Sequence, residues 1–254
     1  MRIIRSVIVA FSMYSRIPMP QFRWEEADTK YMLCFFPWVG AVIGAAVWFF
    51  TRLCEWRNIG LLCETFAGAA IPLLITGGFH ADGFLDTSDA LHSYQTRDRK
   101  LEILKDSHVG AFAVIRFAIY GLLYLAAFSE IQKPALLQIF CAGFFLARCL
   151  SGISVVCFQT ARKDGMLSQT ADQAEKRIVR VVLCVQTVVC VAFMLWRNPV
   201  AGVMVTVVAF AVFAWYYYKT RKEFGGVTGD TAGYFVLLCE LAILLTLAVT
   251  QKWG

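Results

Sequence analysis

Continuous apolar stretches of about twenty residues alternate along this chain with short polar connections. Seven such stretches run roughly over 31–50, 60–79, 109–129, 134–158, 178–196, 199–218 and 231–250. Each is close to the ~20 residues a helix needs to cross ~30 Å of hydrocarbon. A membrane β-barrel would show short alternating segments instead. Ahead of them, Ile3, Ile4, Val7, Ile8, Phe11 and Tyr14 recur near helical spacing, with Arg2, Arg5 and Arg16 around them. This predicts an amphipathic helix lying on the membrane face, ended by Pro18 and Pro20. The segment has no small-x-small site of a cleavable signal. Pro72, Gly77 and Gly78 are expected to distort the second span at its inner end. No internal repeat or low-complexity segment is visible, so the expected architecture is a single all-α domain over 1–254. It is a polytopic helical membrane bundle of about seven spans plus the interfacial helix.

Composition agrees. Of 254 residues, 59% are hydrophobic and only 17% charged, and the mean hydropathy is +0.61. A soluble domain is nearer a quarter charged, so an ordinary soluble enzyme and a disordered chain are both excluded. The net charge of +6 is spread between apolar runs rather than gathered in a patch, which argues against nucleic acid as a partner. With a cytoplasmic N-terminus, the inward segments carry 17 of the 24 Lys and Arg and the outward ends carry 5; Arg116 and Arg148 lie within spans. That bias supports the orientation. The nine cysteines form no CxxC pair and lie mostly in apolar runs, which reads as small buried side chains rather than a metal or redox site. Three scattered histidines are too few for a zinc cluster.

The polar chemistry gathers on the inward side. A transporter more often places its polar residues at the midplane. Three inward connections are long and rich in Gly, Asp and Thr: Gly77 to Asp89, Ala161 to Gly165, and Gly225 to Thr231. In the first, Asp82, Asp86 and Asp89 stand at i, i+4 and i+7, within roughly 60° of one another on a helix. Three such carboxylates repel unless a cation neutralises them, and hard oxygen donors suit Mg2+ or Mn2+ rather than zinc. Carboxylates holding Mg2+ commonly serve a phosphate-bearing substrate. The segment from Arg97 to His108 reads as a helix. Arg99–Glu102 and Glu102–Lys105 are spaced as surface ion pairs; alternatively, Asp106 joins the metal site and Lys105 meets phosphate. In the third connection, Gly225, Gly226 and Gly229 would let backbone amides approach an anion at a helix N-terminus, with Asp230 as its N-cap. Arg148 lies ten residues from Phe158 and Glu240 nine from Thr231. Both are therefore ~15 Å deep, which allows an interhelix ion pair or a role in an intramembrane substrate cleft.

The runs Thr76-Gly77-Gly78-Phe79-His80-Ala81-Asp82-Gly83-Phe84-Leu85-Asp86-Thr87 and Arg97 to Ser107 resemble the cobalamin-5′-phosphate synthase family, also called adenosylcobinamide-GDP ribazoletransferase. Ser15-Arg16-Ile17-Pro18-Met19-Pro20, Phe36-Pro37-Trp38-Val39-Gly40 and Gly225 to Thr231 extend the resemblance over nearly the whole chain. It implies an enzyme of a bacterial inner membrane whose active site faces the cytoplasm. The enzyme would join adenosylcobinamide-GDP to α-ribazole or its 5′-phosphate with Mg2+ and release GMP. It also implies membrane lipid and other corrinoid-pathway enzymes as partners. On this pattern Asp82, Asp86 and Asp89 would hold the metal, and His80 or Asp106 would take the hydroxyl proton. Lys105, Arg162 and Asp164 would meet substrate, and Gly225, Gly226, Thr228, Gly229 and Asp230 would cradle the guanylyl phosphates. Ala90, His108 and the run Gly165-Met166-Leu167-Ser168 depart from the family pattern. Two other classes compete. A CDP-alcohol phosphotransferase also uses clustered aspartates, but its longer-spaced motif is not found here. An ion-coupled transporter would use Arg148 and Glu240 as its site.

Overall fold

The computed structural model describes residues 2–106, 108–162 and 165–252. Among them the chain forms twelve α-helices and no strand. These are α1 (Arg2–Tyr14), α2 (Glu26–Thr29), α3 (Phe36–Arg57), α4 (Leu61–Thr76), α5 (Phe79–His92), α6 (Arg97–Ile103), α7 (Ala111–Ser129), α8 (Pro134–Cys157), α9 (Met166–Gln173), α10 (Lys176–Arg197), α11 (Pro199–Glu223) and α12 (Gly229–Gln251). Six of them, α3, α7, α8, α10, α11 and α12, are long and apolar enough to cross a membrane. The second expected span, 60–79, becomes a bent pair, with α4 and α5 at 92° to each other. Gly77 (φ 65°) and Gly78 (φ 82°) make the bend in the left-handed region, which costs glycine least. We read α4 as the span and α5 as the segment that turns across the end of the bundle. The first span also starts later than its hydrophobicity suggests. Residues Met32–Cys34 form a 3-10 turn, and Pro37 opens α3 in its first turn, where its missing N–H costs nothing.

α8 and α12 form the centre of the bundle and are buried over most of their lengths. The other spans leave many large apolar side chains outward, among them Phe49, Leu122, Val188 and Val207. That is the pattern of a helix facing lipid. One end of the bundle is knit by backbone hydrogen bonds. Arg16 donates to the Ile75 carbonyl at 2.7 Å, and Glu175 to the Lys30 carbonyl at 3.2 Å. Val227 donates to Gln159 and Ala161 to Val227, each at 2.9 Å. The N-termini of α3, α7, α10 and α12 meet there with the C-termini of α4, α8 and α11, and α5 lies across them. α1 docks at the same end: Ser6, Val9 and Ala10 are buried while Ile3 and Ile4 are exposed, and Arg5 pairs with buried Asp28 at 3.2 Å.

Candidate active site

The sequence from Phe79 to His92 is helical, so Asp82, Asp86 and Asp89 do share a side of α5. Gly83 sets what faces them. A Cβ there would lie 2.7 Å from the Asp230 carbonyl oxygen, and one on Gly233 would lie 3.2 Å from the His80 backbone. This close crossing of α5 on α12 brings Asp230 to the α5 carboxylates. Burial, then the charges of Asp82, Asp230 and Asp89, push the Asp86 carboxyl up to about 7. Among the described residues no hydrogen bond or ion pair reaches the carboxylate of Asp82 or of Asp86. Asp89 differs. Its oxygens accept from the Gly110 amide and, at 2.8 Å, from the Ala113 amide, so its carboxylate caps the first turn of α7.

Among the described residues no group of three or more His, Cys, Asp or Glu side chains is close enough to hold a metal unaided. The donor set nevertheless fits Mg2+, which prefers one or two carboxylates and completes its shell with water and substrate phosphate. Asp82, exposed, and Asp86, half-buried, offer that pair.

The remaining predicted residues fall in three places. His80 is buried at the start of α5, and its Nδ1 has no partner. Its ring packs near Phe36 and Phe79, so it lies inward of the carboxylates. Asp106 is exposed and accepts from the His108 amide at 3.0 Å and from His108 Nδ1 at 2.6 Å. These bonds hold its carboxyl below the usual range, and the structure does not bring it to α5. Lys105 is likewise exposed beyond the end of α6. Arg162 acts electrostatically on Asp230 and carries a buried, unpartnered Nη2. Asp164 lies outside the described residues.

The glycine-rich connection is not an open anion nest. Gly225 donates to the Arg221 carbonyl, Gly226 to Thr220, Val227 to Gln159, and Thr228 to the Thr231 hydroxyl. All four amides are spent inside the fold, which leaves the α12 N-terminus at Gly229 to meet an anion. Nor is Asp230 the N-cap. Thr228 is, through a capping box with Thr231, and Asp230 sits one residue inside the helix. Sequence reasoning missed the contacts of α6. The Arg97 guanidinium lies over Gly225, and buried Lys100 pairs with Glu223 at 2.5 Å. The signal was present: Glu223 is the one acid beside Lys219, Arg221 and Lys222.

In the bundle, Arg148 of α8 pairs with Glu240 of α12 at 2.7 Å, both buried. Arg148 also donates to the Phe144 carbonyl at 2.9 Å. The expected interhelix pair is therefore formed. All nine cysteines are free, five of them buried.

Residues 6–248 match the model of the family described as cobalamin-5-phosphate synthase. The chain is 39% identical to an adenosylcobinamide-GDP ribazoletransferase of Lachnoclostridium phytofermentans, over 99% of this chain and 96% of the relative. Proteins of the same name from Clostridium perfringens (28% identity, 96% and 98% coverage) and Listeria monocytogenes (32%, 98% and 99%) are also similar. No solved structure matches.

Proposed function

Since the chain belongs to the cobalamin-5-phosphate synthase family, we propose that it joins adenosylcobinamide-GDP to α-ribazole or its 5′-phosphate and releases GMP. The reaction would be Mg2+-dependent and would run at the cytoplasmic face of a bacterial inner membrane, with lipid around the bundle and other corrinoid-pathway enzymes as neighbours. The match over residues 6–248 carries this reading; the uncommitted carboxylates of Asp82 and Asp86 supply its chemistry.

A ribose hydroxyl of the acceptor attacks the phosphorus that bears the cobinamide. The new P–O bond forms as the P–O bond to GMP breaks, and GMP carries away the bridging oxygen. Such transfer depends on positioning and charge neutralisation more than on covalent help. Asp82 and Asp86 would hold Mg2+, which when bound offsets the diphosphate charge. Arg162, with its unpartnered Nη2, would donate to phosphate oxygens, as would the α12 N-terminus at Gly229; Lys105 would add charge from the rim. Of the two candidate bases, His80 has an uncommitted Nδ1 on α5 itself, whereas Asp106 is engaged by His108. His80 is therefore assigned the hydroxyl proton. The test is purified protein with both substrates, with and without Mg2+, followed by GMP release. Wild type should release GMP only with Mg2+, and Asp82→Asn should not. Absence of GMP from wild type under all conditions would favour a transporter-like role for Arg148 and Glu240.

A further inference from the structure

Inward of α5 lies a cavity of about 250 Å³, walled by α4, α5, α7, α8 and α12. Phe66, Phe117 and Tyr120 give it an aromatic wall, and neither Asp82 nor Asp86 lines it. Two of its lining residues, His80 and Arg148, carry buried polar atoms without partners, Nδ1 and Nε respectively. Arg148 is satisfied at Nη1 by Glu240 and the Phe144 carbonyl, so its Nε is a donor left over from the ion pair. Buried polar groups are ordinarily hydrogen-bonded, and an orphan calls for an occupant. An acyl chain would leave both atoms unpaired. The volume falls below the ~300–1,000 Å³ that encloses a drug-sized ligand, so it takes one small ring system and not a nucleotide-capped corrinoid. We propose that this cavity seats the flat aromatic base of the nucleoside acceptor. Arg148 Nε donates to the unsubstituted ring nitrogen, and His80 Nδ1 faces the ribose. The inference rests on the transferase reading above, since α-ribazole is a benzimidazole riboside.

Gly121 of α7 supplies the test. It lines the cavity, and a Cβ there would meet nothing within 4 Å. A leucine side chain therefore enters open space, and leucine favours a helix more than glycine does. The expected result for Gly121→Leu is a KM for α-ribazole raised at least tenfold, with the KM for adenosylcobinamide-GDP changed less than twofold. In a turnover-free readout, benzimidazole alone should raise the melting temperature of wild type and not of Gly121→Leu. A KM for α-ribazole within twofold of wild type overturns the proposal, as does a benzimidazole shift that is equal in both proteins or absent from both. Should Gly121→Leu not fold, Ala70→Leu on the α4 wall serves the same two readouts. Failure of the transferase reading is a separate result: wild type would then release no GMP, while the benzimidazole shift would still report whether the cavity binds the ring.

Discussion

Asp86 shows how one side chain registers the whole site. Its carboxyl is raised to about 7 by burial and by three neighbouring carboxylates, so the folded protein binds a proton there that the unfolded chain, titrating near 4, does not. The stabilising contribution of the protonated form is present below about pH 4 and is lost as pH rises through 7. Without divalent cations, the melting temperature should therefore fall between pH 5 and pH 8. Mg2+ replaces the proton, so it should raise the melting temperature more at pH 8 than at pH 5.5. Equal effects at both pH values would mean that the ion binds elsewhere. Arg148 and Glu240 make a second residue-scale case. Removing one member of a buried pair leaves an uncompensated charge, at a cost of about 3–5 kcal/mol. Glu240→Gln should lose that much in unfolding experiments, and exchanging the two residues should recover most of it; no recovery would give them separate roles.

At the level of helices, legibility tracked how local the cause was. The spans were readable to within a few residues because hydrophobic length is set by the bilayer; only α3 was displaced, by Pro37 and the turn before it. The Gly77–Gly78 bend was readable because glycine marks such turns. Asp89 was not, since its periodicity matches that of Asp82 and Asp86 while its hydrogen bonds go to the start of α7, 21 and 24 residues on. Of the amides at 225–228, only that of Val227 reaches a segment distant in sequence, at Gln159; those of Gly225 and Gly226 close locally on the last carbonyls of α11, Arg221 and Thr220, so a capping turn reads in the sequence as an open nest. If Asp89 works by capping α7, Asp89→Ala should cost about 1–2 kcal/mol of stability and leave cation affinity nearly unchanged. A loss of cation affinity as large as that of Asp82→Ala would return Asp89 to the metal.

For the whole molecule, the distribution of chemistry is the main result. The α5 carboxylates, Arg162, the α12 N-terminus and the α6–α11 contact all lie at one end of the bundle. The cavity and the Arg148–Glu240 pair lie within it. Gln95 and Lys222 are exposed at that end, so cysteines placed there should react with a membrane-impermeant thiol reagent only from the cytoplasmic side. A cysteine at Asn58, on the opposite connection, should react only from outside. Labelling from the wrong side at any of the three would break this topology.

On the proposed mechanism, Asp82 and Asp86 hold a divalent ion at a phosphate-bearing substrate. The most direct measurement is a Mn2+ titration of the purified protein with adenosylcobinamide-GDP present, followed by electron paramagnetic resonance. Wild type should show one tight site that Asp82→Ala and Asp86→Ala each weaken at least tenfold while the proteins stay folded. Binding of wild-type strength in both folded variants would contradict it.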